Sequence, residues 1–457
     1  MFQHDVTRSG AAGCPDQSRS PSLDTGSAPL GPRSAAFMAP RWFHPTSTPV
    51  TAEPVVVGNT LWVGDAGGNF AALDTSTGAP RWSFSVIANP IHVDLHQPSY
   101  GEITSTAVWR AGRGHGDPTV YFGGGATLYA LDANTGQPRW ATDLDPSSPG
   151  SVVEIESSPL LVNLPGGPSE IVVGTDTNET EGTDRTGMVA LDANTGALLW
   201  KYELETGQVV HSLDPAGPSD RGSGCGDVWS SPAFDAADNA VDFGSGNCNN
   251  PPPGTAVTRE AIWSLDARTG QLRWVFAQGG HKSDPVHAPD DDFGSSPVIL
   301  ARAGGSPEVI ESSKSGYAYA VDGATGASLW STEAAQPGQS GPNLAGAIGG
   351  FIGGAATGRA GSRRAYFAAS AVPLPFAGNG ITQAGVTLDP SVLTHPGRLE
   401  SLHALDAATG AVLWDAPVSL PTYAPVTYAD GLVFAPGTVS LAAEAYDAAT
   451  GLVVWVA

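Results

Sequence analysis

The chain is organised by short apolar runs that flank a recurring polar turn. In the copy at 404–414, Ala404 and Leu405 end one predicted strand, and Val412 to Trp414 begin the next. Asp406 is placed to accept hydrogen bonds from the turn N–H groups, and Gly410 supplies the positive φ that such a turn needs. The pattern therefore predicts a β-hairpin.

This hairpin pattern recurs along the chain as Asp-x-x-Thr-Gly-x-x-x-Trp, at spacings of 58, 60, 74, 56, 84 and 41 residues. The turn aspartates and the terminal tryptophans of the copies are Asp74 and Trp82, Asp132 and Trp140, Asp192 and Trp200, Asp266 and Trp274, Asp322 and Trp330, Asp406 and Trp414, and Asp447 and Trp455. Two further short apolar runs precede a copy, as in 52–57 and 61–64. Four short antiparallel strands per unit are typical of a propeller blade.

We therefore predict an all-β fold, a β-propeller of four-stranded antiparallel blades with seven recognisable repeats. A parallel β-helix is the alternative repeat architecture, but its rungs are much shorter. The repeat tryptophans are expected to pack between neighbouring blades. Residues 1–40, rich in Ser, Pro and Gly, are predicted to be an irregular arm, and residues 41–457 the propeller. Arg41-Trp42-Phe43-His44 resembles the end of a repeat without its earlier strands, which predicts a partial eighth blade.

Composition narrows the classes of partner. The chain has 45 acidic and 21 basic residues and a formal net charge of −24, which argues against nucleic acid and anionic membrane surfaces. No apolar run reaches the roughly 20 residues needed to span a bilayer. Three cysteines exclude a disulfide-dense scaffold. Cys225 and Cys248 flank one predicted hairpin, and we expect them to form a disulfide.

The Asp-to-Trp repeat, over about 42–455, resembles the tryptophan-docking repeat of pyrroloquinoline-quinone (PQQ) β-propellers. That family includes quinoprotein alcohol dehydrogenases, the polyvinyl-alcohol dehydrogenase branch and non-catalytic assembly scaffolds. The resemblance implies the fold. Because scaffolds share the repeat, an activity has to be argued from residues outside it.

The first such segment is Val228-Trp229-Ser230-Ser231-Pro232, which leads to Gly246-Asn247. It is similar to the dehydrogenase segment in which a tryptophan forms the floor under the quinone. Trp229 lies outside the repeat's tryptophan position, and a flat indole offers stacking area to a planar cofactor. Asn247 can offer an oxygen to Ca²⁺. The alternative is a buried core tryptophan followed by a turn asparagine.

The second segment is Asp290-Asp291-Asp292-Phe293-Gly294, similar to a segment of the polyvinyl-alcohol branch in which Asp292 falls at the catalytic base. Clustered carboxylates raise one another's pKa values, whereas a nearby metal favours the charged form, so one aspartate could act as a base and a metal ligand. A solvated acidic loop is the alternative interpretation.

Two further residues complete the predicted site. Lys314, in Ser313-Lys314-Ser315-Gly316, resembles the family lysine that polarises the quinone oxygens; the alternative is a surface turn. The resemblance places the calcium-ligating glutamate at Glu179, with Glu181 in reserve. Two family features are missing. The chain has no adjacent cysteine pair, and residues 349–354, which are similar to a Gly-rich segment of the polyvinyl-alcohol branch, lack the Glu and Trp of that segment.

The expected function is Ca²⁺-assisted hydride transfer from a small-molecule or polymeric alcohol to PQQ, followed by electron transfer to a separate acceptor. The alternative is a binding or assembly scaffold without the cofactor. Convergence of Trp229, Asn247, Asp292 and Lys314 on one axial cavity would favour the enzyme. An extracellular or periplasmic location is expected, although the given start shows no export signal.

Overall fold

The computed structural model describes residues 30–88, 98–112, 118–146, 152–178, 180, 185–213, 222–246, 260–277, 291–302, 304–335, 350–358, 362–369, 402–416, 424–436 and 443–457. These residues fall into two compact units. The first comprises residues 40–275, and the second comprises residues 30–39 together with 276–457.

The first unit is built from four consecutive antiparallel sheets, whose strands follow the chain from one edge to the other. Their strands are β1 Val55–Val57, β2 Thr60–Gly64, β3 Asn69–Asp74 and β4 Pro80–Ser85; β5 Val108–Arg110, β6 Thr119–Gly124, β7 Thr127–Asp132 and β8 Pro138–Asp143; β9 Leu160–Asn163, β10 Ser169–Gly174, β11 Gly187–Asp192, β12 Leu198–Glu203 and β13 Gln208–Val210; and β14 Ala233–Asp235, β15 Ala240–Gly244, β16 Ile262–Asp266 and β17 Leu272–Phe276.

The second unit contains one short helix and three antiparallel sheets of the same kind. Its elements are α1 Pro32–Ala35; β18 Val298–Leu300, β19 Glu308–Ser312, β20 Tyr317–Asp322 and β21 Ser328–Glu333; β22 Ala356–Thr357, β23 Arg364–Ala368, β24 Leu402–Asp406 and β25 Val412–Ala416; and β26 Thr427–Ala429, β27 Leu432–Pro436, β28 Ala443–Asp447 and β29 Val453–Val456. The predicted fold class, a propeller with seven four-stranded blades, is confirmed.

The core lies between the faces of consecutive sheets. One apolar cluster joins Tyr121 and Leu128 of the second sheet to Ile171 and Val189 of the third. Every strand of these sheets is short, so no single blade could bury such a face by itself. Burial between neighbours, worth about 25 cal/mol per Å² of apolar surface, therefore stabilises the array rather than the individual hairpin.

Within each unit, repeat tryptophans dock one sheet onto the next, as expected. In the first unit the Trp140 Nε1 donates to the Ala193 carbonyl at 3.2 Å, and in the second the Trp330 Nε1 donates to the Ala407 carbonyl at 2.8 Å. The turn glycine has a second role here. A Cβ on Gly196 would lie 2.6 Å from the Trp140 ring, so glycine is needed for contact with the indole as well as for its φ of +72°.

The structure adds three features to the predicted plan. A fifth strand, β13, extends the third sheet. Helix α1 packs beside β28 and β29, and Trp455 donates to the Met38 carbonyl at 3.1 Å. Trp42 donates to the Thr75 carbonyl at 2.9 Å, the docking contact of a repeat tryptophan, although residues 41–44 form no strand. The partial eighth blade stays a prediction.

Among the described residues, no helix is long and apolar enough to cross a membrane.

Candidate functional site

Pairs of buried hydroxyl residues precede the inner strands of several sheets. The first hydroxyl of each pair bonds within its own sheet: the Gly174 N–H donates to Ser157 Oγ at 3.0 Å, and Ser230 Oγ donates to the Gly244 carbonyl at 2.7 Å. The second hydroxyl reaches the preceding sheet, since the Ser158 N–H donates to Ser231 Oγ at 2.9 Å. These side chains fix the start of each inner strand relative to its neighbour within the first unit.

Sequence reasoning missed these hydroxyl pairs, although a signal was present. The tripeptide Ser-Ser-Pro occurs at 157–159, 230–232 and 295–297, each time just before an inner strand. Its recurrence marks a structural position in the blade. The third occurrence follows the same rule in the second unit, where the Ser312 N–H donates to Ser295 Oγ at 3.1 Å.

A cluster of four buried carboxyl groups lies in the first unit: Glu154, Glu156, Asp176 and Asp227, each at most 3% exposed. Glu154 and Asp176 are held together by two backbone hydrogen bonds of 2.9 and 3.0 Å. Burial, with the nearby Glu156, raises the pKa of Glu154 to about 7. Burial and the surrounding carboxylates, Asp227 first among them, also raise the pKa of Asp176 well above its ordinary value.

The cluster joins the segment before the predicted metal ligand to the segment before the predicted quinone floor. Asn178 donates from its side chain to Glu154 Oε1, and Thr177 donates to Asp227 Oδ1 from both its N–H, at 3.0 Å, and its hydroxyl, at 2.8 Å. Asp227 is two residues before Trp229, which is half-buried. The chain around 176–178 therefore lies against the chain around 227–229.

In the second unit the structure brings Asp292 and Lys314 together. Lys314 Nζ lies 2.6 Å from Asp292 Oδ2, and the Lys314 N–H donates to the Asp292 carbonyl at 2.9 Å. The side chains are 14% and 3% exposed, respectively. Asp292 is therefore buried and does not lie in a solvated acidic loop. Lys314 lies in a turn, as its alternative interpretation supposed, but its ammonium is held in a charge-assisted contact with Asp292.

The Gly-rich segment that follows the lysine turn packs directly against it. A Cβ on Gly350 would lie 1.9 Å from the Lys314 carbonyl oxygen, and the φ of Gly350 is +67°. The Phe351 N–H donates to the Ser313 carbonyl at 3.0 Å. The segment that lacks the family's Glu and Trp thus closes around Lys314 through its backbone.

The remaining predicted residues lie outside the described part of the chain: Glu179, its reserve Glu181, Asn247 and Cys248. Cys225 is disulfide-bonded, and its pairing with Cys248 stays a prediction. Among the residues that the structure describes, no group of three or more His, Cys, Asp and Glu side chains is arranged to hold a metal ion. The structure thus places Trp229 in one unit and the Asp292–Lys314 pair in the other.

Seven antiparallel sheets, with tryptophan docking between sheets of the same unit, define the class as a tryptophan-docked β-propeller. Residues 36–343 match the family described as the glucose/ethanol/alcohol dehydrogenase β-propeller domain, and residues 314–457 match the outer membrane protein assembly factor BamB. Because the first match covers well over half of the sequence, the chain belongs to the PQQ β-propeller family.

Two curated relatives illustrate the range of the family. The polyvinylalcohol dehydrogenase of Sphingopyxis sp. (strain 113P3) is 26% identical over 96% of this chain and 64% of its own length. The quinohemoprotein alcohol dehydrogenase of Comamonas testosteroni is 25% identical over 61% of this chain and 39% of its own. The chain thus spans less than two-thirds of the length of these relatives.

Solved structures show the same fold. A europium-containing methanol dehydrogenase superposes with a TM-score of 0.60 at 18% identity, over 94% of this chain and 82% of its own. The quinohemoprotein alcohol dehydrogenase from Comamonas testosteroni gives a TM-score of 0.56 at 19% identity, over 90% of this chain and 67% of the dehydrogenase chain.

Proposed function

We propose that this protein is a PQQ-dependent alcohol dehydrogenase. The observation that carries the proposal is the buried Asp292–Lys314 ion pair, because it joins the predicted base and the predicted quinone-polarising cation at 2.6 Å. Curated relatives named as alcohol dehydrogenases support the same class of reaction. Neither residue belongs to the Asp-to-Trp repeat, so blade docking does not require them.

In the proposed reaction Asp292 accepts the hydroxyl proton of the alcohol. The Lys314 ammonium stabilises the carboxylate before the reaction and can donate a hydrogen bond to a carbonyl oxygen of the bound cofactor. PQQ, when bound, accepts the hydride. The surrounding chain restricts solvent access, since Asp291, Phe293 and Ser313 are buried around the pair. A separate electron acceptor is part of the proposal.

The residues present fit the cofactor in their chemistry. Trp229 is half-buried, and the buried Oε2 of Glu154 has no hydrogen-bond partner among the described residues. An orphaned carboxylate oxygen is suited to a hard cation such as Ca²⁺. We propose Trp229 and Lys314 as cofactor-binding residues, and Glu179, Asn247 and Asp292 as metal ligands.

A small-molecule or polymeric alcohol as substrate is part of the proposal, as is location in the periplasm or outside the cell. An organisation into a 1–40 arm and a 41–457 propeller also remains proposed. The match of residues 314–457 to an assembly factor favours one rival, a non-catalytic scaffold. The two functions differ in whether the quinone binds.

The test is to add PQQ and excess Ca²⁺ to the purified protein, follow the quinone absorbance and tryptophan quenching, and then supply alcohols with a redox dye. We expect stoichiometric PQQ binding and dye reduction that depends on the alcohol. The W229A variant should retain the cofactor more weakly, because it loses the stacking surface. Failure of PQQ to bind with Ca²⁺ in excess would contradict the enzyme and leave the scaffold.

A further inference from the structure

The repeat provides an internal control for every position in a blade. In each sheet, one row of residues that pair across neighbouring strands has one member on every strand. On the third strand of the blade, that member is alanine in six of the sheets: Ala72, Ala130, Ala190, Ala320, Ala404 or Ala445. The second member in those sheets is the large apolar Trp62, Tyr121, Val172, Ile310, Tyr366 or Phe434.

The fourth sheet alone departs from this row. Asp242 of β15 stands at the second position, and Ser264 of β16 pairs with it at the third. Asp242 and Ser264 are both completely buried. The corresponding side chain is buried in five of the other six sheets and half-buried, as Phe434, in the seventh sheet. A carboxyl group therefore lies where the other sheets place a hydrophobic side chain, and a buried charge costs far more than a buried methyl group gains.

Polar atoms around Asp242 lack hydrogen-bond partners among the described residues. They are both carboxyl oxygens of Asp242, one oxygen each of Asp235 and Asp238, the Ser264 hydroxyl and the Arg273 Nε. Asp235 is also buried, at 1% exposed. Because nearly all buried polar groups in proteins are hydrogen-bonded, six such atoms in one sheet need a chemical explanation.

The nearby positive charge is already engaged. In the first two sheets the corresponding arginines pair with their own turn aspartates, as in Arg139 with Asp132 at 2.7 Å. Arg273 instead turns to Asp238, donating to its carbonyl at 2.8 Å and lying 3.6 Å from its carboxylate. The fourth sheet thus holds three aspartates near one arginine.

We propose that the fourth sheet contains a proton-binding site in which Asp242 is a neutral carboxylic acid in the folded protein. The proton removes a charge that Arg273 cannot balance while it is shared with Asp238. The groups that face Asp242 are Asp235 at the end of β14, Asp238 in the following turn, Ser264 on β16 and Arg273 on β17. This site is independent of the proposed dehydrogenase function.

The electrostatics of the cluster agree with this assignment. Burial raises the pKa of Asp242 well above its ordinary value, and the carboxylates of Asp235 and Asp238 add to the rise. Ser264 and Arg273 oppose it; the Ser264 hydroxyl lies near Asp242 but outside the geometry of a hydrogen bond. A raised pKa in the folded state means that stability is fully present below the unfolded pKa and is lost as pH rises towards the folded one. Asp242 therefore makes the fold less stable at higher pH.

The test compares urea unfolding of the wild type and D242N from pH 4 to pH 9. In the pH range where Asp242 is ionised in the unfolded protein but protonated in the folded protein, the folded state binds one more proton than the unfolded state. The wild-type unfolding constant should then rise about tenfold per pH unit more steeply than that of D242N. D430N is the matched control, because Asp430 is exposed and its positive φ suits asparagine. It should keep the wild-type slope.

A second variant covers the case in which D242N does not fold. D242I/S264A copies the Ile310–Ala320 row of the fifth sheet and should also lose the one-proton slope. Infrared difference spectra near neutral pH, wild type minus either variant, should show the C=O stretch of one protonated acid. Equal slopes in wild type and variants, or no such band, would overturn the proposal. So would stabilisation by added Ca²⁺ in the wild type but not in D242N, since the cluster would then be a cation site.

Discussion

At the scale of single residues, the contacts of adjacent aspartates differ, although the sequence alone gives no reason to distinguish them. Three aspartates stand side by side at 290–292, and Asp290 lies outside the described residues. Asp292 holds the ion pair with Lys314. Asp291 is also buried, and its charge helps to raise the pKa of Tyr319 above its ordinary value, after the larger effect of burial. The assignment of Asp292 as the base stays a proposal, and the contact with Lys314 is the observation that supports it.

Replacing Asp292 by Asn is expected to retain the fold and PQQ binding while lowering alcohol turnover by about two to four orders of magnitude, the usual contribution of a general base. Steady-state dye reduction measures the turnover, and thermal unfolding curves of the wild type and the variant check that the fold is retained. Turnover within a factor of a few of the wild type would remove Asp292 from the mechanism.

The ion pair itself can be tested by a double-mutant cycle. K314Q leaves the Asp292 carboxylate buried without its ammonium, which is expected to cost up to about 3–5 kcal/mol of unfolding free energy. D292N/K314Q should be more stable than K314Q, because both charges are then absent. Chemical denaturation of the four proteins gives the coupling energy; additive effects would show that the pair is not energetically coupled.

At the scale of elements, neighbouring blades within each unit are joined by an indole that both fills space and donates a hydrogen bond. The same contact recurs in both units, for example from Trp82 to Ala133 at 3.1 Å and from Trp414 to Ala448 at 3.2 Å. The acceptor is the carbonyl of the residue that follows the turn aspartate. One short motif therefore supplies the indole donor to the next blade and the carbonyl acceptor to the indole of the preceding blade. This reciprocity explains why the sequence repeats in the turn and the tryptophan together.

W330F should keep most of the packing but lose the 2.8 Å bond to Ala407, at a cost of about 0.5–1.5 kcal/mol in unfolding free energy. W330A should cost about 3–5 kcal/mol, because it also leaves a cavity. The control is W109F, since Trp109 is half-buried and lies outside the docking position. A W109F effect as large as that of W330F would argue against a special role for the docking bond.

At the scale of the whole molecule, a chain of net charge −24 also buries many of its carboxyl groups. Buried acids with raised pKa values make the folded state bind more protons than the unfolded state. Their shared effect is lower stability at higher pH, the reverse of the behaviour of carboxylates held in ion pairs.

Glu170 of β10 provides a test away from both proposed sites. Burial is the largest cause that raises its pKa from 4.5 to about 7. Its contribution to stability is present below pH 4.5 and is lost as pH rises through about 7. In E170Q we expect the urea midpoint to fall less between pH 5 and pH 8 than in the wild type. E333Q, at an exposed glutamate, should show no such change.

The sequence by itself determined the blade architecture, because the Asp-to-Trp motif carries its own turn chemistry and its own docking side chain. It also singled out Asp292 and Lys314 as candidates. Tertiary structure alone decided that these two side chains form a buried pair, since they stand 22 residues apart and no local rule joins them. The same holds for the carboxyl cluster of Glu154, Asp176 and Asp227 and for the buried Asp242. In so acidic a sequence, any single Asp or Glu side chain is expected to be exposed. Only the packing between sheets places these particular side chains in the interior.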